Sequence, residues 1–100
     1  DDRLMYHLSA VISSNFVNHL FYIAEKNLST DNLNFDILRP LIEETITKAF
    51  EKGAYESQTG PAKRGDNETM NKHLDLLKQE NYKDIYKLIS ESIISEYRSE

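Results

Sequence analysis

The strongest constraint on this chain is the spacing of its apolar residues. Leu4, Leu8, Val11, Ile12, Phe16, Leu20 and Ile23 recur every three to four positions, the repeat of a helix with one apolar stripe rather than the alternation of a strand. The pattern predicts a long first helix from about Arg3 to Asn27. After it, LSTDNLN gathers Ser, Thr, Asp and Asn, a loop composition in which Asn34 or Asp36 is placed to cap the next helix. That second helix is predicted from there to Lys52, with Ile37, Leu38, Leu41, Ile42, Ile46 and Phe50 turned inward. Pro40 either sits in its first turn or separates a short turn from the helix proper, and Gly53 ends it. Asp66 or Asn67 caps a third helix with Met70, Leu74 and Leu77. Asn81, with Asp84 three positions on, resembles a capping pair ahead of a fourth helix carrying Ile85, Tyr86, Leu88, Ile89, Ile93, Ile94 and Tyr97. No run alternates as a strand does, and no segment repeats another. The expected fold is therefore all-α, a bundle of about four helices with a long first helix, forming one domain over its 100 residues.

Composition narrows the classes of partner. With 39% hydrophobic and 29% charged residues the chain is of ordinary globular type. A domain this small buries well under ~70% of its surface, so apolar helix surface is left for a partner and a homodimer is expected. Net charge is −5 and no basic run extends beyond Lys63-Arg64, which argues against nucleic acid. There is no cysteine, which removes disulfides, thiol catalysis and zinc–thiolate sites together and fits an intracellular, cytoplasmic setting. The opening DDRLMYHLSA has no apolar run of signal or membrane-spanning length, so no membrane association is expected. It also lacks an initiator Met, which points to a longer parent protein.

Two places carry candidate chemistry. On the first helix, His7, Ser14, Asn15, Asn18 and Tyr22 fall on successive turns of nearly one side, with His19 a turn beyond Asn15. The plainer reading is a solvated side. Residue choice favours a cleft, because a plain surface face favours Lys, Glu and Arg, whereas His, Asn and Ser are hydrogen-bonding groups of fixed geometry. His7 is a candidate proton donor, histidine being the side chain that ordinarily titrates near neutrality. A metal site from His7, His19 and His73 is not expected, since no HxH or HExxH spacing occurs.

The second place is TGPAKRGDNET, Thr59 to Thr69, which holds two of the three glycines and one of the two prolines. Gly60 and Gly65 permit positive φ and close approach of main-chain N–H groups to a ligand. Arg64 can grip a carboxylate or phosphate with two donors, and Asp66 can pair with Arg64 while capping the next helix. These describe an anion-facing corner. The alternative is a structural turn between helices with a surface ion pair. The RGD tripeptide is too short to carry an adhesion reading.

In order, His7, SSN at Ser13 to Asn15, RPLIEET at Arg39 to Thr45, TGPAKRGD at Thr59 to Asp66 and MNKHL at Met70 to Leu74 together resemble one family. It is the helical domain of unknown function that follows a Rossmann-like NAD(P)-binding domain in bacterial proteins, in the 6-phosphogluconate dehydrogenase C-terminal-domain-like superfamily. The resemblance spans nearly the whole chain, and TGPxxRGD is its most specific element. It implies a two-domain oxidoreductase in which an N-terminal domain, absent from this sequence, binds NADP or NAD. This half would close the cleft over a small carbonyl or 2-oxo acid and form the dimer. Wider relatives include ketopantoate reductases, pyrroline-5-carboxylate reductases, hydroxyacid dehydrogenases and F420-dependent NADP reductases, so substrate identity stays open. The sequence has no GxGxxG, as that division of labour requires.

Hydroxyacid dehydrogenases of the superfamily place a lysine one turn before an asparagine on the long helix. Here the position four before Asn15 is Val11, so His7, a further turn back, is the substitute proton donor. On the same resemblance Asn15 orients the substrate carbonyl or the nicotinamide amide. Arg64, with the backbone of Thr59 and Gly60, binds a substrate carboxylate, and His73 supports that loop. The competing class is a non-catalytic helical module whose polar stripe binds protein.

Overall fold

The computed structural model describes residues 1–98, and among them every regular element is helical. Helix α1, Asp2–Ala10, continues through a π-helical turn, Val11–Asn15, into α2, Phe16–Ser29. A 3₁₀ turn, Phe35–Leu38, leads into α3, Arg39–Lys52, and α4, α5 and α6 come next at Pro61–Arg64, Asn67–Leu76 and Glu80–Tyr97. The all-α expectation is met, and the four expected helices correspond to α1–α2, α3, α5 and α6. Helix α4 is an addition, lying where the sequence suggested only a turn. Backbone contacts divide the chain into two units at Arg39.

In the first unit, α1 begins where the Asp1 carboxylate accepts the Leu4 N–H at 3.0 Å, one of the helix-end donors that otherwise lacks a partner. After α2 the chain reverses through Asn32, whose φ of 58° is left-handed and tolerable for Asn. The Leu33 N–H reaches back to the Leu28 carbonyl at 3.0 Å. Asn34 caps the 3₁₀ turn by accepting the Asp36 N–H at 2.9 Å, and Phe35 packs against Phe21 with ring centroids 6.1 Å apart.

The second unit centres on α4. Its Ala62 is 7% exposed and Met70 of α5 is 6% exposed, and these two are the buried apolar residues among those described. Pro61 fits the first position of α4, whose N–H would be unpaired in any case. At the far end, the N–H of Gly65 bonds to the carbonyls of Ala62 and Pro61, and that of Asp66 to Pro61, a left-handed glycine cap. Asp66 starts α5 by accepting the Thr69 N–H at 3.1 Å and the Thr69 hydroxyl at 2.7 Å. The terminal turn of α6 is tied back: Tyr97 stacks on Tyr55 at 4.4 Å, donates its hydroxyl to the Tyr55 carbonyl, and lies under Lys63 Nζ at 5.2 Å.

Two local expectations are corrected. Helix α6 starts at Glu80 with Gln79 as its cap residue and no side-chain cap bond, so Asn81 lies inside the helix and its side chain cannot cap from outside. The apolar stripe expected to turn inward from Ile37 to Phe50 is only partly covered: Leu38 and Ile42 are half-buried, whereas Phe50 is 88% exposed and Ile37, Leu41 and Ile46 are likewise exposed. Periodicity reports that a helix has an apolar side; it does not say whether the cover comes from the same chain.

Candidate functional site

The long helix carries its polar stripe across the π turn. At that turn the Phe16 N–H bonds to the Val11 carbonyl, five residues back, so one more residue is enclosed than in an α turn. Each extra residue rotates everything downstream by about 100° relative to an uninterrupted α-helix. Counted that way, Asn15 moves from about 80° away from His7 to about 20°, and His19 from about 120° to about 20°. Asn18, which an unbroken helix would put in line with His7, turns about 80° away. His7, Asn15 and His19 therefore share one exposed strip, and the His19 ring stacks on Tyr22 with centroids 6.0 Å apart. Lys26 Nζ lies 5.8 Å from the same Tyr22 ring. Along the axis His7 and Asn15 stand roughly 11 Å apart, and Asn15 and His19 about 6 Å.

The second unit brings Thr59, Gly60 and Arg64 into one corner. Gly60 precedes α4 with φ 105° and ψ 169°, and the Thr59 carbonyl accepts the Gln58 side-chain amide at 3.0 Å. Thr59 also borders a hollow of about 380 Å³ with Glu44, Thr45, Lys48 and Gln58 among its other walls. Arg64 contacts Asp66 through a single nitrogen at 3.3 Å, which leaves the guanidinium fork largely open. Asp66 is held below the usual carboxylate range, first by the Thr69 hydroxyl, then by the Thr69 N–H, with smaller help from Arg64.

His73 does not reach this corner through any hydrogen bond described. Its Nδ1 pairs with the Tyr86 hydroxyl at 2.7 Å, joining α5 to α6, and burial pushes the Tyr86 phenol up. That pairing links residues thirteen apart on different helices, so no local spacing could have announced it. The Tyr55–Tyr97–Lys63 cluster escaped the sequence reading for the same reason. Among the described residues no group of three or more His, Cys, Asp or Glu side chains could hold a metal ion. No helix of the described residues is long and apolar enough to cross a membrane.

A family model described as "Domain of unknown function (DUF2520)" matches residues 1–93. The chain belongs to this family. Among solved structures it is similar to a protein described as "putative NADP oxidoreductase" from Bacteroides fragilis, at 39% identity and a TM-score of 0.89. That alignment covers 94% of this chain and 37% of the other, so the chain spans little more than a third of its structural relative. No curated protein matches it. The described residues contain no strand from which a glycine-rich turn could enter a long helix, the device that holds a dinucleotide pyrophosphate.

Proposed function

We propose that this chain is the substrate-binding and dimerisation domain of a cytoplasmic NADP-dependent oxidoreductase acting on a small carbonyl or 2-oxo acid. The 6-phosphogluconate dehydrogenase C-terminal-domain-like superfamily is the proposed fold group. The reading rests on 39% identity across 94% of the chain to the protein described as a "putative NADP oxidoreductase", of which this chain covers 37%. The rest of such a protein has ample length for a dinucleotide-binding domain, which would carry NADP or NAD. In this reading the long helix lines the cleft, His7 gives a proton to the substrate oxygen and Asn15, two turns along, positions the substrate through a different oxygen. Thr59, Gly60 and Arg64 receive a carboxylate, and His73, through Tyr86, steadies α5 behind them.

Dimerisation is proposed from surface. Leu4 is 68% exposed, and Leu8, Ile12 and Phe16 are exposed along the same helix. That apolar strip also favours the second reading, a helical interaction module without catalysis.

The test uses the longer protein. Calorimetry should give micromolar binding of NADPH to the two-domain protein, and absorbance should show its oxidation with at least one member of a panel of short 2-oxo acids. The helical chain alone should bind no NADPH. A two-domain protein that binds no nicotinamide dinucleotide, or whose adjoining domain carries no dinucleotide fold, would establish the interaction module instead.

A further inference from the structure

The π turn is the one irregularity in a helical run that otherwise extends from Asp2 to Ser29. Such turns are rare and frequent at functional sites. Without it, His7 would lie in line with Asn18, and Asn15 and His19 would face elsewhere. With it, His7, Asn15, His19 and Lys26 fall within about 20° of one line, with Tyr22 about 40° to one side. Glu25 is about 100° away, so the strip holds hydrogen-bond donors and a cation but no carboxylate. One turn apart, Asn15 and His19 have Cβ atoms about 5–6 Å from each other. Both can reach the same small oxygen-bearing group, the Asn amide and an imidazole N–H each supplying a donor. His7, two turns away, cannot share one oxygen with Asn15. The His19 ring is also held by its stack on Tyr22, so less freedom is lost when it binds.

We propose that His19 is a further substrate-binding residue, paired with Asn15 as a two-donor contact for the oxygens of a small carbonyl or carboxylate ligand. The π turn is the register device that brings this pair into line with His7. This inference rests on the reading of the long helix as the wall of the substrate cleft.

The experiment is histidine ring NMR on the two-domain protein saturated with NADP⁺ and titrated with oxamate, an unreactive 2-oxo acid isostere. His7→Gln, His19→Gln and His73→Gln variants assign the ring signals. The His19 signal should move on binding, and His19→Gln or Asn15→Ala should each weaken oxamate binding roughly three- to tenfold, as loss of one hydrogen bond does. Removal of Ser13 should close the π turn into an ordinary α turn. The variant should keep its helix content and melt no lower than the parent, yet lose the His19 response while the His7 signal still moves. A His7 response with His19 silent in the parent protein overturns the pairing and leaves the cleft reading standing. Silence from both rings overturns the cleft reading as well. An unchanged oxamate affinity after removal of Ser13 overturns the register role of the π turn.

Discussion

Replacing Gly60 by Ala isolates the backbone energetics of the TGPAKRGD corner. At φ 105° and ψ 169° Gly60 occupies a region essentially closed to residues with a Cβ, at a cost of about 1–3 kcal/mol. A Cβ built there meets nothing within 4 Å, so packing contributes nothing to the penalty. The Ala variant also loses unfolded-state freedom, which returns about 0.4–1 kcal/mol. The net loss is then about 1–2 kcal/mol, or on the order of 5–15 °C in melting temperature for a domain of this size. Gly65 is the internal comparison. Its φ of 71° and ψ of 29° are left-handed helical, where Ala costs about 1–2 kcal/mol and Asn much less.

The expected pattern is therefore specific: Ala destabilises at both positions, Asn rescues position 65, and Asn does not rescue position 60. Urea titration with far-UV circular dichroism measures all four variants. Wild-type stability for Gly60→Ala, or equal rescue by Asn at both positions, would refute the assigned backbone conformation. Turnover of the two-domain protein below its melting transition adds the functional half. If Gly60 also presents its N–H to a ligand, Gly60→Ala loses substrate affinity beyond what Gly65→Ala loses.

The second unit supplies further expected outcomes. Arg64→Lys should change stability by no more than about 0.5 kcal/mol, since its ion pair with Asp66 is a surface one. It should weaken binding of a carboxylate substrate by about 1.5–3 kcal/mol if the guanidinium fork makes that contact, and steady-state KM reads the difference. Met70→Ala should cost about 2–3 kcal/mol in urea titration, as the removal of a buried large side chain does. Tyr97 is raised above the ordinary tyrosine value by burial, then by Tyr55, Glu56 and Glu96. Its hydrogen-bonded contribution to stability should be complete below that ordinary value and fade as pH climbs through the higher folded value; Tyr97→Phe should remove this part of the alkaline transition. Asp66 behaves oppositely: its contribution is complete above the ordinary aspartate value and fades as pH falls through the depressed folded value, and Asp66→Asn should flatten that acid limb.

Helix placement was legible because the relevant signals are local. The spacing from Leu4 to Ile23, the glycine after Lys52 and the acid before Asn67 each act within a turn or two of themselves. Helix α4 was not legible, since a four-residue helix between two glycines looks like a turn until its packing against α5 and α6 is known. Burial along α3 was not legible either, because a stripe such as Leu41–Ile46–Phe50 has the same spacing whether its cover belongs to this chain or to another. The candidate site was half legible. Residue types singled out His7, Asn15 and Arg64, but the company they keep depends on a π turn that no side chain in VISSN announces, and on partners such as Tyr86 that lie on another helix.

That π turn bears on why the polar strip is unlike a solvated side. An extra residue in a helix weakens its hydrogen-bond ladder, and a chain with only Ala62 and Met70 buried among its described residues has little stability to spare. A helix selected only for a wet surface gains nothing from a register shift, because Lys or Glu in any register solvates equally well. A helix that must aim Asn15 and His19 along the line of His7 gains a specific geometry from one inserted residue. At Gly60 a backbone conformation open to glycine but costly for any residue with a Cβ sits beside an arginine whose ion pair uses a single nitrogen. In both places an unusual backbone lies next to side chains able to make directed hydrogen bonds, and a helix face or a turn serving only solvent has no use for that combination.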